Sequence, residues 1–439
     1  MTVAARSAVD LPIVVWFRRD LRVGDHPALT EAVAAGQVVL PLFVWDPALL
    51  APTGSRRLAR LEGAVAALDR DLRALGGRLV IRRGRPEEVV AAVVREVGAR
   101  TVHASRDYTP FALVRDERVA REVDLIRFGG TLAIEPEATG DTRVFSAFHR
   151  RWSARSIDRP LPAPRRIEVP TGIAGEAAPA ITPDGEPEAL DRLGRFAQGA
   201  AGEYATGRDR LDRDGTSRLG ADLHFGTLSP RQVLAAIAEP SFRRQIAWRD
   251  WASHVLWFRP TARHVAWREG ARDLAWLDDP AGFAAWRDGQ TGYPVVDAAM
   301  RQLGAEGWIH NRARMIVASF LAKDLLIDWR LGEAHFLREL VDADVANNSL
   351  GWQWAAGVGT DAAPFFRIFS PVRQGERFDP TGAWVRRWVP EVAATKDRFV
   401  HRPWDDPDGL PAGYPARIVD HAEARARALA WFRERPRAT

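Results

Sequence analysis

The densest group of chemistry-bearing residues lies between positions 308 and 354. Asn311, Arg314 and Met315 fall within one turn of a helix predicted over 309–327 and share a face with Trp308. Arg314 is interior to an otherwise apolar helix and needs a carboxylate if buried, which Asp342 or Asp344 can supply. Residues Asn347-Asn348-Ser349-Leu350-Gly351 then read as a turn, followed by Trp352-Gln353-Trp354. Two adjacent Asn provide neutral amide donors and acceptors where a charge is too costly to bury. Trp352 and Trp354, taken with Trp329 and Trp276, either pack a core, relay single electrons or stack on bases. A second segment, Tyr204 with Thr216-Ser217-Arg218-Leu219-Gly220, offers successive hydroxyls and backbone N–H groups. It suits a pyrophosphate, or is an ordinary hydrophilic loop.

Composition removes several other chemistries. The chain has no Cys, so disulfides, thiol nucleophiles, iron–sulfur clusters and Cys-ligated zinc are excluded. Its 10 His form no HExxH or comparable cluster, and no metal site is expected. No Walker A sequence, no GxGxxG after a strand and no GxSxG elbow is present. Lys stands only at 323 and 396 among 62 basic residues, so nearly every cation is Arg. Codon bias explains this, and a bidentate anion-binding surface would use it. A net charge of +5 permits a nucleic-acid partner without requiring one. Seventeen Trp against 4 Tyr is an excess that core packing rarely asks for, because a buried indole N–H needs a partner.

The elements that must carry these groups divide the 439 residues into three stretches. Strands are predicted at 13–17, 38–45, 79–82, 101–104 and 131–134. Helices at 56–75, 86–97 and 110–127 lie between them, and Gly24-Asp25-His26-Pro27 opens a further one that Gly36 closes. This alternation implies a doubly wound parallel-sheet α/β domain over 11–140, with ligands expected beyond the carboxyl ends of the strands. Seven Pro between 160 and 187 mark an extended linker, placed at 141–190. From 191 to 439 the apolar spacing is helical, with helices predicted at 231–238, 244–257, 295–303, 309–327 and 333–341. The apolar run at 13–17 is too short for a signal peptide and no stretch approaches a membrane span, so a soluble, cytoplasmic protein without membrane contact is expected.

Five strings carry a resemblance: VVWFRRDLRVGDHPAL (14–29), GEYATGRDRL (202–211), TSRLGADLHFGTLSPR (216–231), TGYPVVDAAMRQLGAEGWIHNRARM (291–315) and DADVANNSLGWQWAAGVGTDAAPFFRIFSP (342–371). In these, over essentially its whole length, the chain resembles the DNA photolyase/cryptochrome family, and most closely its class I cyclobutane pyrimidine dimer photolyases. The resemblance implies an all-α C-terminal domain that binds FAD. Tyr204, Thr216, Ser217, Arg218, Leu219 and Gly220 would hold its phosphate side. The family usually has Ser where Gly220 stands, so only a backbone contact is expected there. Asn311, Arg314, Asp342, Asp344 and Asn348 would surround the flavin, Asn348 beside its N5. Trp352, Trp329 and Trp276 match the family's three-tryptophan chain from flavin to surface.

The same resemblance implies light-driven repair of UV-damaged DNA, by electron transfer from reduced FAD to a dimer flipped out of the duplex. Asn311 and Met315 stand where relatives acting on (6-4) photoproducts carry His, which favours cyclobutane dimers. Trp248 and Trp354 match the aromatic walls around the dimer, and Arg208, Arg312 and Arg367 match DNA-backbone contacts. Gln245 departs from the Glu usual in dimer-repair enzymes, and reduced repair efficiency is expected because an amide supplies no titratable proton. Arg19, Asp46, Arg57 and Asp107 would line an antenna site in the α/β domain. The segment SRDYTPFALVRD (105–116) looks more like the 8-hydroxy-5-deazaflavin type than the methenyltetrahydrofolate type. The alternative function is a cryptochrome-type photoreceptor, against which stands the lack of a long tail after the last motif. A monomer without an obligate protein partner is expected.

Overall fold

The computed structural model describes residues 11–36, 38–360 and 367–434. It divides into two compact units. One combines the residues up to Ala201 with Ser217–Pro260, and the other combines Gly202–Thr216 with the residues from Thr261 onward. The last motif string therefore includes six positions, 361–366, outside the described residues.

The first unit is built on five strands: β1 (Ile13–Phe17), β2 (Val39–Trp45), β3 (Val80–Arg83), β4 (Thr101–Ser105) and β5 (Asp124–Phe128). They form one parallel sheet in the order β3-β2-β1-β4-β5. β1 and β2 are buried along their whole length, as strands covered on both faces must be. Helix α1 (Pro27–Ala34) starts as its sequence implies: Pro27 takes the first turn and the His26 ring accepts from the Leu29 N–H at 3.1 Å. Helices α2 (Ser55–Ala74), α3 (Pro86–Val97) and α4 (Pro110–Glu122) complete the wound core.

One predicted strand is misplaced. The chain leaves α4 at Glu122 and makes its fifth strand immediately, at Asp124–Phe128, whereas 131–134 is not a strand. The edge position of β5 explains the error: it is mostly exposed, so Asp124 and Arg127 interrupt its apolar pattern and imitate a continuing helix. The Ala133 and Ile134 N–H groups turn instead to the Asp250 carboxylate, at 3.0 and 3.2 Å.

The predicted linker is partly ordered structure. Helix α5 (Phe145–Ser153) lies inside it, and only beyond that helix is the Pro-rich stretch without regular elements, up to Glu186. It does not hang free. The Asp25 N–H donates to Leu161 O, Val39 N–H to Glu168 O, Ile167 N–H to Leu75 O and Glu176 N–H to Ile81 O, each at 2.8 Å. These bonds strap the segment along the sheet unit.

Helix α6 (Pro240–Phe258) is joined to the same unit through Asp250. One carboxylate oxygen accepts the Ala133 and Ile134 N–H groups and the Trp152 indole N–H at 2.9 Å. In the second unit, α7 (Asn311–Ser319) gives way to a wider π-helical turn at Phe320–Asp324, so the long predicted helix ends early. Helix α8 (Trp329–Glu339) follows. The residues read as a turn, 347–351, are helical, inside α9 (Val345–Ala356). Asp344 caps α9 by accepting the Asn347 N–H at 2.9 Å, and this capping places both Asn within the first turns rather than at a break. No helix among the described residues is long and apolar enough to cross a membrane.

Burial pushes the Asp250 carboxyl up to about 6, against the opposing pull of Arg249, the Trp152 N–H and the two backbone N–H groups. A folded-state value above the ordinary 3.8 means that the folded protein holds the proton more tightly, so this group's contribution to stability declines as pH rises through that window. Asp250→Asn, which retains an accepting oxygen, gains in melting temperature relative to the parent between pH 4 and 7. A difference that stays constant over that range would refute the assignment.

Candidate functional site

In the second unit the site is organised by the starts of α7 and α9. His310 caps α7 by accepting the Arg312 N–H at 3.0 Å, and its ring is buried and neutral, with burial pushing it down to about 4. The next turn presents Asn311, Arg314 and Met315 outward, as the spacing implies, while Ala313, Ile316 and Val317 face the core. Arg314 finds its predicted carboxylate. Its Nη2 donates to both Asp342 oxygens at 2.8 and 3.0 Å and its Nε to Ile309 O at 3.0 Å. The pair is half-withdrawn from water, with side chains 25% and 10% exposed.

Asp344 serves α9 as its cap, also accepting the Asn347 amide at 2.8 Å. Asn348 donates to the Glu333 backbone oxygen at 3.0 Å and to its carboxylate at 3.1 Å, tying α9 to α8. Burial raises the Glu333 carboxyl, with the Arg263 charge and the Asn348 bond opposing. Nothing local to the sequence marks Glu333, since its partner lies on another helix. Further along α9, Gln353 is buried and holds Ala262 O and the Trp267 N–H.

The three relay candidates stand on separate elements. Trp352 lies on α9, one turn beyond Asn348, with its ring 5.0 Å from Phe336 and 6.0 Å from Trp286. Trp329 opens α8 with the Arg330 guanidinium over it at 5.1 Å. Trp276 is half-buried against Trp431, 4.8 Å between ring centres. Gly332 is what lets Trp352 lie against α8, because a methyl there would overlap the indole and Leu321. A glycine inside a helical pattern is a signal of such close approach.

The DNA-contact candidates sit in different surroundings. Arg312 is paired with Asp209 at 2.7 Å and stacked on Phe378 at 4.4 Å. Arg208 lies 5.5 Å from the Tyr204 ring centre, and Arg367 is exposed. Trp354 is half-buried near Phe369. Tyr204 is buried and Thr216 half-buried in this unit.

In the first unit, Ser217–Gly220 makes a tight turn into the short helix Gly220–Phe225, with Arg218 in the left-handed region (φ 52°) and the Ser217 hydroxyl accepting the Leu219 N–H at 3.4 Å. Gln245 and Trp248 lie on α6, and the Gln245 amide donates back to Ser241 O at 3.2 Å. The antenna candidates sit at strand ends: Arg19 after β1, Asp46 after β2 and Asp107 after β4. The structure brings Arg19 and Asp107 within 3.7 Å of each other. Asp46 instead caps the short helix Pro47–Leu50, and Arg57 donates to Thr53. Between the strand ends, Arg18 and Arg115, which the sequence reading did not single out, share Asp116 and both lie over Trp16, at 4.6 and 5.0 Å.

Comparison with known proteins bears on the family and the fold. The DNA photolyase domain is matched over residues 13–165 and the FAD binding domain of DNA photolyase over 242–434. A deoxyribodipyrimidine photo-lyase of Streptomyces griseus is 41% identical, over 94% of this chain and 97% of that one. A crystal structure of a class III photolyase from Agrobacterium tumefaciens superposes with a TM-score of 0.91 at 38% identity, over 98% of this chain and 99% of that one. A Synechocystis cryptochrome superposes with a TM-score of 0.87 at 26% identity, over 95% and 98%. The chain belongs to the DNA photolyase family. That structural relative is described as class III, not as the class I expected from the motifs.

The residues of the second unit fit a flavin on their own chemistry. They combine neutral amides with the Arg314–Asp342 pair, and among the described residues the buried indole N–H of Trp352 and ring N–H of His310 meet no hydrogen-bond partner. Gly332→Ala overpacks the Trp352 contact and lowers stability by about 1–3 kcal/mol in urea unfolding. An unchanged midpoint would show that α8 and the indole are not in close contact.

Proposed function

We propose that this protein repairs cyclobutane pyrimidine dimers in DNA under blue light. The observation that carries the reading is the strip of half-exposed polar groups, Arg314 with Asp342, Asp344 and Asn348, set among the buried residues of α7 and α9. Bound FAD supplies the light-driven single electron that opens the cyclobutane ring. The chain's own residues do the rest. Arg314, fixed by Asp342, holds a preorganised dipole in a place partly withdrawn from water. Asn348 offers hydrogen bonds without a charge of its own, so it accommodates a change in ring charge at low cost. Asn311 completes the polar lining. Tyr204, Thr216, Ser217, Arg218, Leu219 and Gly220 are the residues assigned to the cofactor's phosphates.

Trp352, Trp329 and Trp276 carry electrons inward when the cofactor needs reduction. Trp354 and, on α6, Trp248 are the indoles assigned to the flipped pyrimidines, and Met315 is assigned an apolar role toward the same substrate. Arg208, Arg312 and Arg367 hold the phosphate backbone, Arg312 after exchanging Asp209 for a phosphate. The protein acts as a monomer in the cytoplasm, and its bacterial relatives support a bacterial source. The decisive assay incubates the reduced protein with dimer-containing DNA in blue light and in darkness. Thymine is restored in light only. Light-sensitive flavin without repair would select the cryptochrome reading, which Gln245 favours.

Gln245 donates and accepts hydrogen bonds with the dimer but holds no proton to share. Gln245→Glu therefore raises the repair quantum yield; an equal or lower yield counts against dimer repair as the native reaction.

Arg19, Asp46, Arg57 and Asp107 bind 8-hydroxy-5-deazaflavin as an antenna, with methenyltetrahydrofolate the alternative. Support comes from the place of Arg19, Asp46 and Asp107 just beyond the carboxyl ends of β1, β2 and β4. Protein expressed in a deazaflavin-producing host carries the pigment's absorbance, and material with flavin absorbance alone would reject it.

A further inference from the structure

Helix α5 carries none of the residues assigned above, yet its first residue is in close ring contact with Trp248. The Phe145 and Trp248 rings lie 3.6 Å apart, centre to centre, and within 7° of parallel. Phe145 is buried and Trp248 half-buried. The stack is braced from two further sides. Trp251 meets both rings edge-on, 5.8 Å from Phe145 and 5.2 Å from Trp248, and its own indole N–H is fixed to Thr142 O at 3.2 Å. The exposed Arg244 guanidinium lies 5.2 Å from the Phe145 ring centre. The other end of α5 is locked to α6 as well, through Trp152 and Asp250.

We propose that Phe145 is a positioning residue for lesion recognition, acting through Trp248. This rests on the reading that Trp248 meets the flipped pyrimidine. One face of that indole is covered by Phe145, so its tilt is set before DNA arrives and only the remaining surface is offered. A side chain held in its binding orientation loses no rotamer freedom on association, and the saving appears as affinity. The parallel contact does this better than an aliphatic neighbour, because two flat rings restrict each other's tilt while an aliphatic chain leaves it free. Helix α5 thereby becomes part of the recognition apparatus although it lies in the stretch whose composition reads as a linker.

The test measures binding, in the dark, to an oligonucleotide with a single thymine dimer and to the undamaged oligonucleotide. Phe145→Leu weakens lesion binding about 3- to 10-fold and leaves binding to undamaged DNA and flavin content unchanged. Phe145→Tyr, which keeps the ring, binds the lesion as the parent does. In a Trp248→Ala background, Phe145→Leu costs nothing further, since coupling vanishes once the residue acted upon is removed. Phe145→Met repeats the comparison should the Leu variant not fold. Parent-like lesion affinity of the aliphatic variant, or an equal loss with and without Trp248, overturns the proposal. If Trp248→Ala alone leaves lesion affinity intact, the reading beneath the proposal fails instead, and the two failures are thereby told apart.

Discussion

The Arg314–Asp342 pair is the constraint on which the site depends. Taking a guanidinium and a carboxylate partly out of water is favourable only when their remaining hydrogen-bond capacity is met. Here Arg314 meets it by bonding both carboxylate oxygens and the Ile309 carbonyl. Ile309 lies just before α7 and Asp342 two residues before the Asp344 cap of α9. The pair therefore sets the starts of both helices together. Asn311 and Asn348 take their places from those two starts, so a single ionic contact aligns amides that are 37 positions apart in the chain.

The Trp excess resolves into distinct physical jobs. Trp286 is a core residue whose N–H is satisfied by Val317 O, and Trp152 and Trp251 are beams that join α5 to α6. Trp352 is different: among the described residues its buried N–H meets no partner, and its ring lies where a methyl on Gly332 of α8 would overlap it. A buried indole that neither satisfies its donor nor tolerates a methyl opposite is poorly explained by packing alone. Trp276 and Trp431 make the outermost of these indole contacts, both half-buried.

Asp250 shows how the fold spends an unfavourable group to hold another in place. The carboxylate is fully buried, and burial raises its proton affinity. It nevertheless collects two backbone donors from the 131–134 segment and one from α5. That segment, read as a strand from its apolar residues, is bound to α6 rather than to the sheet. Gln245 and Trp248 lie within five positions of Asp250 on the same helix, so their placement rests on this acid.

Much was legible without coordinates. The buried strands β1 and β2 announce themselves as continuous apolar runs, and the α1 and α3 starts by Pro in the first turn, because these signals act over a few residues. Arg314 and its need for a carboxylate were likewise visible, since an isolated cation in an apolar helix has few stable outcomes. Three things were not. The exposed edge strand β5 lacks the burial that creates a pattern. Asn347 and Asn348 carry turn propensity that the Asp344 cap overrides. Glu333, Gly332 and Phe145 matter only through partners 15, 20 and 103 positions away. Local propensity and spacing determined the elements and the chemical types of the site. Tertiary packing alone decided which donors meet which acceptors, because a desolvated polar group or a stacked ring is defined by what the distant chain places against it.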